Sequence, residues 1–250
     1  MANSIKTFIK NTPLLSNAYS KAANYVSERR MRNRVKGREL KDIFSEHYED
    51  NFWGSDESVS GPGSTLEYTE NLRKKLPHML EKYEIRSILD APCGDFNWFR
   101  YVERPDETSY VGADIVPELI KNNKERFENG NTAFEVLDIT KDILPTADLW
   151  ICRDVLFHLS YEHIVSVLRN FLNSEIKYLL TTSNVLCLEN KDILSGQGRL
   201  LNLQLTPFNF PMPLLSIDDW LEGAPVRKMC LWDRKTLVDI IPQIKLDELP

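Results

Sequence analysis

The chain has 250 residues, 27% of them charged and 42% hydrophobic, with a formal charge of −6. That length suits one α/β domain with its own core and a short extension, and is small for two domains. The acidic total argues against a general nucleic-acid binder, whose footprint is basic. No apolar run approaches the roughly 20 residues that cross a bilayer, so no transmembrane segment is expected.

The charge is unevenly spread. Residues 1–41 hold ten Lys or Arg against two acids, which leaves the rest of the chain near −14. Arg29, Arg30, Arg32, Arg34, Lys36 and Arg38 are the densest part, and Ile5, Phe8, Ile9, Leu14, Leu15, Tyr19, Ala22, Ala23 and Val26 recur at roughly helical spacing. The expectation is a basic helical extension over residues 1–45. Two readings stand for it: an arm packed on its own domain, or an amphipathic surface for an acidic partner or peripheral membrane contact. The segment lacks the apolar stretch and cleavage pattern of a secretory signal, although its scarcity of acids is shared with transit peptides. Cys93, Cys152, Cys187 and Cys230 form no C-x-x-C pair, and none stands at zinc-ligand spacing from His78, His158 or His163. No metal site is expected, and a reducing, cytoplasmic setting fits.

From about residue 65 the pattern alternates between helix and strand. A helix is expected over 66–83, with Leu66, Leu72, Leu76, Met79 and Leu80 on one side and Pro77 as a kink. Strand 86–90, helix 96–103, strand 109–114 and helix 117–128 follow, the last opening on Pro117 and closing near Asn129-Gly130. Next come strands at 132–137 and 148–152, a helix over 160–172 capped by Ser160, and strand 177–182. Such alternation implies right-handed crossovers and a mainly parallel sheet. In the C-terminal third, Pro207, Pro211, Pro213 and Pro225 break long helices, leaving 200–205 and 228–232 as strand candidates. The connection between them has the length of a loop that closes over a substrate.

Two of these strands end in acids. Ser87-Ile88-Leu89-Asp90 runs into Ala91-Pro92-Cys93-Gly94-Asp95-Phe96, and Tyr110-Val111-Gly112-Ala113 closes on Asp114. Strand 132–137 adds Asp138. Carboxylates delivered to the carboxyl edge of an open α/β sheet suit an adenosine-containing ligand. Cys152-Arg153-Asp154-Val155-Leu156-Phe157-His158 follows the fourth strand, and His158 and Asp154 are the candidates there for a general base. Each has a plainer alternative: His158 bonded into the sheet edge, Asp154 paired with Arg153. The stretch Ser58–Thr65 offers small residues and hydroxyls at a helix start, where Ser64 and Thr65 either receive an anion or cap the helix. Arg73 could assist with a bidentate contact to that anion. Trp53 either lines the pocket or packs. Asn184, Arg199 and Asn202 supply polar groups suited to an acceptor's hydroxyl or phosphoryl oxygens.

These ordered acids resemble class I S-adenosylmethionine-dependent methyltransferases, and the resemblance runs from about Glu57 to Trp232. It implies a doubly wound α/β domain over residues 46–250, with a mainly parallel seven-stranded sheet of the Rossmann-like type. It implies S-adenosyl-L-methionine as cofactor, with Asp90, Ala91, Pro92, Cys93 and Gly94 passing beneath it. Asp114 and Ile115 would hold the ribose, Asp138 and Ile139 would lie by the adenine, and Arg153 and Arg73 would complete the set. The family's D-x-G-x-G-x-G pattern is kept only at Gly94. Pro92 must therefore supply the turn and Phe96 must point away. Loss of those glycines harms a pyrophosphate site more than a sulfonium site, which disfavours a nicotinamide-dependent oxidoreductase. The blocks S-G-x-G-S, D-A-P-C-G-D and R-D-V-L-F-H-L are similar to those of bacterial members, some encoded with surface-polysaccharide genes. That similarity implies a small polar or saccharide acceptor, methylated on oxygen or nitrogen. A non-catalytic scaffold with the same fold is the further alternative. Oligomeric state is not legible.

Overall fold

The computed structural model describes residues 29–246. The apolar positions noted in residues 5–26 lie outside the described residues. The chain divides into two compact units, one ending at Arg38 and the other beginning at Glu39. In the first, residues 29–35 are helical and a turn follows, with Gly37 at φ 72°. Arg29, Arg30, Arg32, Lys36 and Arg38 are exposed there.

The second unit opens with helix α1 (Leu40–Glu49), which turns Leu40, Ile43 and His47 to the interior. Positions i, i+3 and i+7 make one helical stripe, so the helix cannot be divided without splitting its packing face. The expected boundary after residue 45 falls inside this helix, whereas the two compact units part between Arg38 and Glu39.

Seven strands follow: β1 (Ser87–Asp90), β2 (Ser109–Asp114), β3 (Thr132–Val136), β4 (Leu149–Cys152), β5 (Tyr178–Ser183), β6 (Leu215–Asp218) and β7 (Lys228–Asp233). They form one sheet in the order β3-β2-β1-β4-β5-β7-β6. The pairs from β3 across to β5 are parallel, whereas β7 is antiparallel to both β5 and β6. Helices α2 (Glu70–Lys82), α3 (Pro117–Phe127), α4 (Tyr161–Asn173) and α5 (Arg234–Leu237) accompany the strands. Because both faces of the sheet are covered, the central strand β4 is apolar throughout. Successive residues serve opposite cores: in β4, Trp150 and Cys152 join α4's Leu168 and Phe171, while Leu149 and Ile151 join α2's Leu72 and Leu76.

Ser160 caps α4 as expected, its hydroxyl accepting from the His163 N–H. Three expectations fail locally. The helix at 96–103 is only a 3₁₀ turn, Phe99–Tyr101, because Phe96 stands at φ 57° and turns its ring onto Phe99, Tyr110, Phe127 and Phe134. Residues 200–205 form no strand, since β7 already occupies the edge of β5 they would need. Residues 66–69 are turns, and α2 begins at Glu70 and runs through Pro77.

Candidate active site

A cavity of about 310 Å³ opens at the carboxyl ends of the central strands. Its floor is the β1 loop, where Asp90, Pro92, Cys93 and Gly94 reach the lining. Ala91 does not. Its methyl is fully buried, its N–H continues the pairing with Ile151, and its carbonyl accepts from Trp150 Nε1 at 2.8 Å, so it belongs to the core. Gly94 holds a left-handed φ of 56°, and a Cβ there would collide with Ser60 Oγ. Only glycine fits that close crossing of two loops. Phe96 turns into the core, as the missing glycine pattern required.

Asp114 ends β2 with its carboxylate braced from behind: Oδ2 accepts from Gly94 N–H at 3.2 Å and Oδ1 from Val116 N–H at 3.1 Å. Burial pushes its pKa up to about 6, against those backbone donors. Asp90 is 2% exposed and accepts from Tyr110 Oη at 2.7 Å. Burial dominates there too, raising its pKa to about 7. Asp138 and Ile139 line the next part of the wall, after β3, with Asp138 Oδ1 bonded to the N–H and hydroxyl of Thr140. Ile115 also lines the cavity.

The opposite wall is a turn, Pro62–Ser64, clamped across the β1 loop. Asp95 accepts from Ser58 Oγ (2.9 Å), Ser60 Oγ (3.2 Å) and Val59 N–H (3.1 Å), and Asn97 Nδ2 donates to Ser64 O. Ser64 thus reaches the cavity, but Thr65 does not: its hydroxyl donates to Pro62 O and accepts from Tyr68 N–H, which makes it a turn cap. Arg73 also lies off the cavity. Its Nη2 donates to Leu66 O at 2.8 Å and its Nε reaches Thr69 Oγ1, fastening α2 to the preceding turn.

Behind that turn sits a network of two arginines and two aspartates, with Arg153 and Asp219 buried and Asp154 and Arg227 part-buried. Arg153 donates from Nε and Nη2 to Asp219 at 2.9 and 3.0 Å, and from Nη2 to Gly63 O at 2.7 Å. Its Nη1 lies 3.3 Å from Asp154, whose Oδ2 also meets Arg227 Nη2 at 2.8 Å. Asp154 Oδ1 accepts from Thr182 Oγ1. Burial favours protonating Asp154, but the two guanidiniums outweigh it and hold the carboxyl below its ordinary range. The ion pairs with Arg153 and Arg227 are the plainer of the two readings of Asp154. Arg153 lines the cavity while its charge is taken up by Asp219 and Asp154.

His158 lines the cavity beside Trp53, with ring centroids 4.5 Å apart. Its Nδ1 lies 2.8 Å from Gln197 O. Burial is the main cause of a pKa lowered to about 4, so the ring is neutral at pH 7. Trp53 in turn contacts Phe52 and His47, an aromatic corner completed by Phe44.

The three acceptor-side candidates from the β5–β6 connection lie elsewhere. Asn184 Oδ1 accepts from Leu201 N–H, Asn202 bonds Gln204 N–H and Cys187 O, and Arg199 Nη1 donates to Leu159 O at 2.6 Å. In place of a strand ladder, these side chains satisfy the backbone of a long loop. Reading the sequence missed Arg227, Trp98 and α1's Leu40, Phe44 and Tyr48 among the lining. Arg227 carries no local signal, because it reaches Asp154 only through the β6–β7 hairpin. Leu40, Phe44 and Tyr48 share one helical stripe, but nothing local to that stripe marks it as a cavity wall. Among the described residues, no group of three or more His, Cys, Asp or Glu could hold a metal ion, and no helix is long and apolar enough to cross a membrane.

No family model and no curated protein matches the chain by sequence. Solved structures do match by fold. PigF with S-adenosylhomocysteine superposes with TM-score 0.57 at 13% identity, covering 81% of this chain and 65% of PigF. The magnesium protoporphyrin IX methyltransferase ChlM of Synechocystis PCC 6803 gives 0.54 at 12% identity, covering 78% of this chain and 98% of ChlM. Human N-acetylserotonin methyltransferase gives 0.48 at 17% identity, covering 77% of this chain and 64% of that one. The matched region thus spans less than two thirds of PigF and of the human enzyme. With the strand order β3-β2-β1-β4-β5-β7-β6 and its single antiparallel strand, the chain has the fold of the class I S-adenosylmethionine-dependent methyltransferases.

Proposed function

We propose that the protein is an S-adenosylmethionine-dependent methyltransferase acting on an oxygen or nitrogen of a small polar acceptor. The observation that carries this is the meeting of the Gly94 crossing, Asp114 and Asp138 on one cavity. The residues suit the cofactor: Asp114, its carboxylate braced by backbone donors, is assigned to the ribose, and Asp138 and Ile139, on the same cavity, to the adenine. ChlM and PigF, which share the fold, were solved with S-adenosylhomocysteine bound. A bound sulfonium supplies an activated methyl whose departure leaves a neutral thioether.

The chain's own contribution is orientation and proton handling. Asp154 is committed to Arg153, Arg227 and Thr182, which leaves His158 as the base candidate, and a weak one. A weak base favours an acceptor whose nucleophile needs no deprotonation to attack, such as a phosphoryl or carboxylate oxygen or a neutral amine, over an unactivated hydroxyl. The acceptor we propose is a polar precursor of that kind, with phosphoryl-bearing sugars of surface polysaccharide as the first group to screen. A nicotinamide cofactor is disfavoured by the 3₁₀ turn after β1, which offers no helix N-terminus to a pyrophosphate.

Isothermal titration with S-adenosylhomocysteine and NADH tests the reading, with Asp114→Ala as control. Micromolar binding of the former that is lost in the variant supports it. A folded protein that binds neither points to a scaffold, and one that binds only NADH to an oxidoreductase.

A further inference from the structure

The long β5–β6 connection grips the turn that carries His158. The carbonyls of three successive residues are taken up by one short segment. Phe157 O accepts from Arg199 N–H at 3.1 Å, His158 O from Gly196 N–H at 2.8 Å, and Leu159 O from Arg199 Nη1 at 2.6 Å. The next two amides donate to the same connection, Ser160 N–H to Ser195 Oγ at 2.8 Å and Tyr161 N–H to Asp192 Oδ1 at 2.7 Å. Ser195 Oγ also lies 2.7 Å from His163 Nδ1 on α4. Five consecutive residues, 157–161, are therefore held through backbone groups by residues 192–199.

The same segment reaches the imidazole. Gln197 O stands 2.8 Å from His158 Nδ1, and a carbonyl can only accept, so Nδ1 carries the hydrogen in this geometry. A Cβ on the next residue, Gly198, would lie 3.4 Å from the ring's Cε1 and Nδ1, so the backbone there runs flat against that edge. Among the described residues Nε2 has no hydrogen-bond partner, on a ring that lines the cavity. Arg199 anchors the arrangement at its end, bonded through both backbone and side chain, with its guanidinium 5.2 Å from the centre of the Tyr161 ring.

We propose that Arg199 is a positioning residue: through residues 195–199 it holds the His158 turn so that Gln197 fixes the Nδ1–H tautomer and Nε2 presents its lone pair to the cavity. The role given to that lone pair rests on the methyl-transfer reading. The tautomer does not. The groups facing the ring are Asp154, His47 and Arg199 itself, so removing the Arg199 charge shifts the titration of His158 even without any movement. The tautomer is the readout that separates positioning from charge.

The test is long-range proton–nitrogen spectroscopy of the full chain labelled on its histidines, with His158 assigned from a His158→Gln sample. Wild type should show a protonated Nδ1 and a bare Nε2 at pH 7. Arg199→Met should move both nitrogen resonances toward tautomer-averaged positions, and Arg199→Lys, which keeps the charge and one donor, should restore most of the difference. An Nε2–H tautomer in wild type overturns the proposal. So does an Arg199→Met protein whose titration shifts while its tautomer stays fixed. If Arg199→Met does not fold by thermal unfolding, Ser195→Ala removes a second clamp and answers the same question. Failure of wild type to bind S-adenosylhomocysteine would overturn the methyl-donor reading and leave the tautomer result standing.

Discussion

Gly94 and Ser60 cross so closely that the α-carbon of one faces the hydroxyl of the other, and Ser60 Oγ uses that proximity to accept from Asp95 N–H at 3.1 Å. The β1 loop and the turn over the cavity are locked together at that point. Gly94→Ala adds a clash to a left-handed φ, a combined strain of about 1–3 kcal/mol. The expected result is a lower melting temperature and an affinity for S-adenosylhomocysteine reduced about tenfold or more. Calorimetry on the variant checks both.

Cofactor affinity should depend on pH through Asp114. Both of its oxygens accept only when it is ionised, since protonation turns one into a donor, and burial holds its pKa near 6. Affinity for S-adenosylhomocysteine should be flat above pH 7 and fall about tenfold per unit below 6. Asp114→Asn should bind weakly with no such limb. A wild-type curve flat to pH 5 would remove Asp114 from the ribose role.

Asp90 sets a stability dependence of the opposite sense. Its folded pKa of about 7 lies above the ordinary carboxyl value of 3.8, so the folded state holds more protons between those values. Stability from this group is present at low pH and lost as pH rises through 7. Asp90→Asn keeps an acceptor for Tyr110 and removes the buried charge. It should raise the melting temperature relative to wild type at pH 8 and make little difference at pH 4, measured as the difference between two pH series.

Asp219 is the partner whose loss should cost most. Its side chain is fully buried against Arg153, itself 4% exposed. Asp219→Ala strands a buried guanidinium, an effect of about 3–5 kcal/mol. Denaturant unfolding should show that loss, and a change below 1 kcal/mol would mean that Asp154 alone suffices to neutralise Arg153.

The strands from β1 to β5, helices α3 and α4, and the acids Asp90, Asp114 and Asp138 were legible in the sequence because their signals are local. A β-branched run closing on an acid needs no partner to be recognised, and Pro117 or Ser160 marks a helix start by its own chemistry. The same locality misled at Leu200–Leu205, whose alternation has strand period although β7 holds the edge it would pair with. Asn184, Arg199 and Asn202 looked free to bind a ligand for a related reason: their side chains are consumed by backbone that only the folded loop brings near.

By itself, then, the sequence determined the order of elements, the carboxylates at the carboxyl edge and the glycine that must stay bare, since each depends on residues within one or two turns of chain. The tertiary structure alone decided that Asp154 is paired, that Arg227 stands beside it, and that α1 walls the cavity. Those facts depend on contacts across the β6–β7 hairpin and on burial, which sets whether a carboxyl or an imidazole holds its proton. No spacing along the chain encodes either.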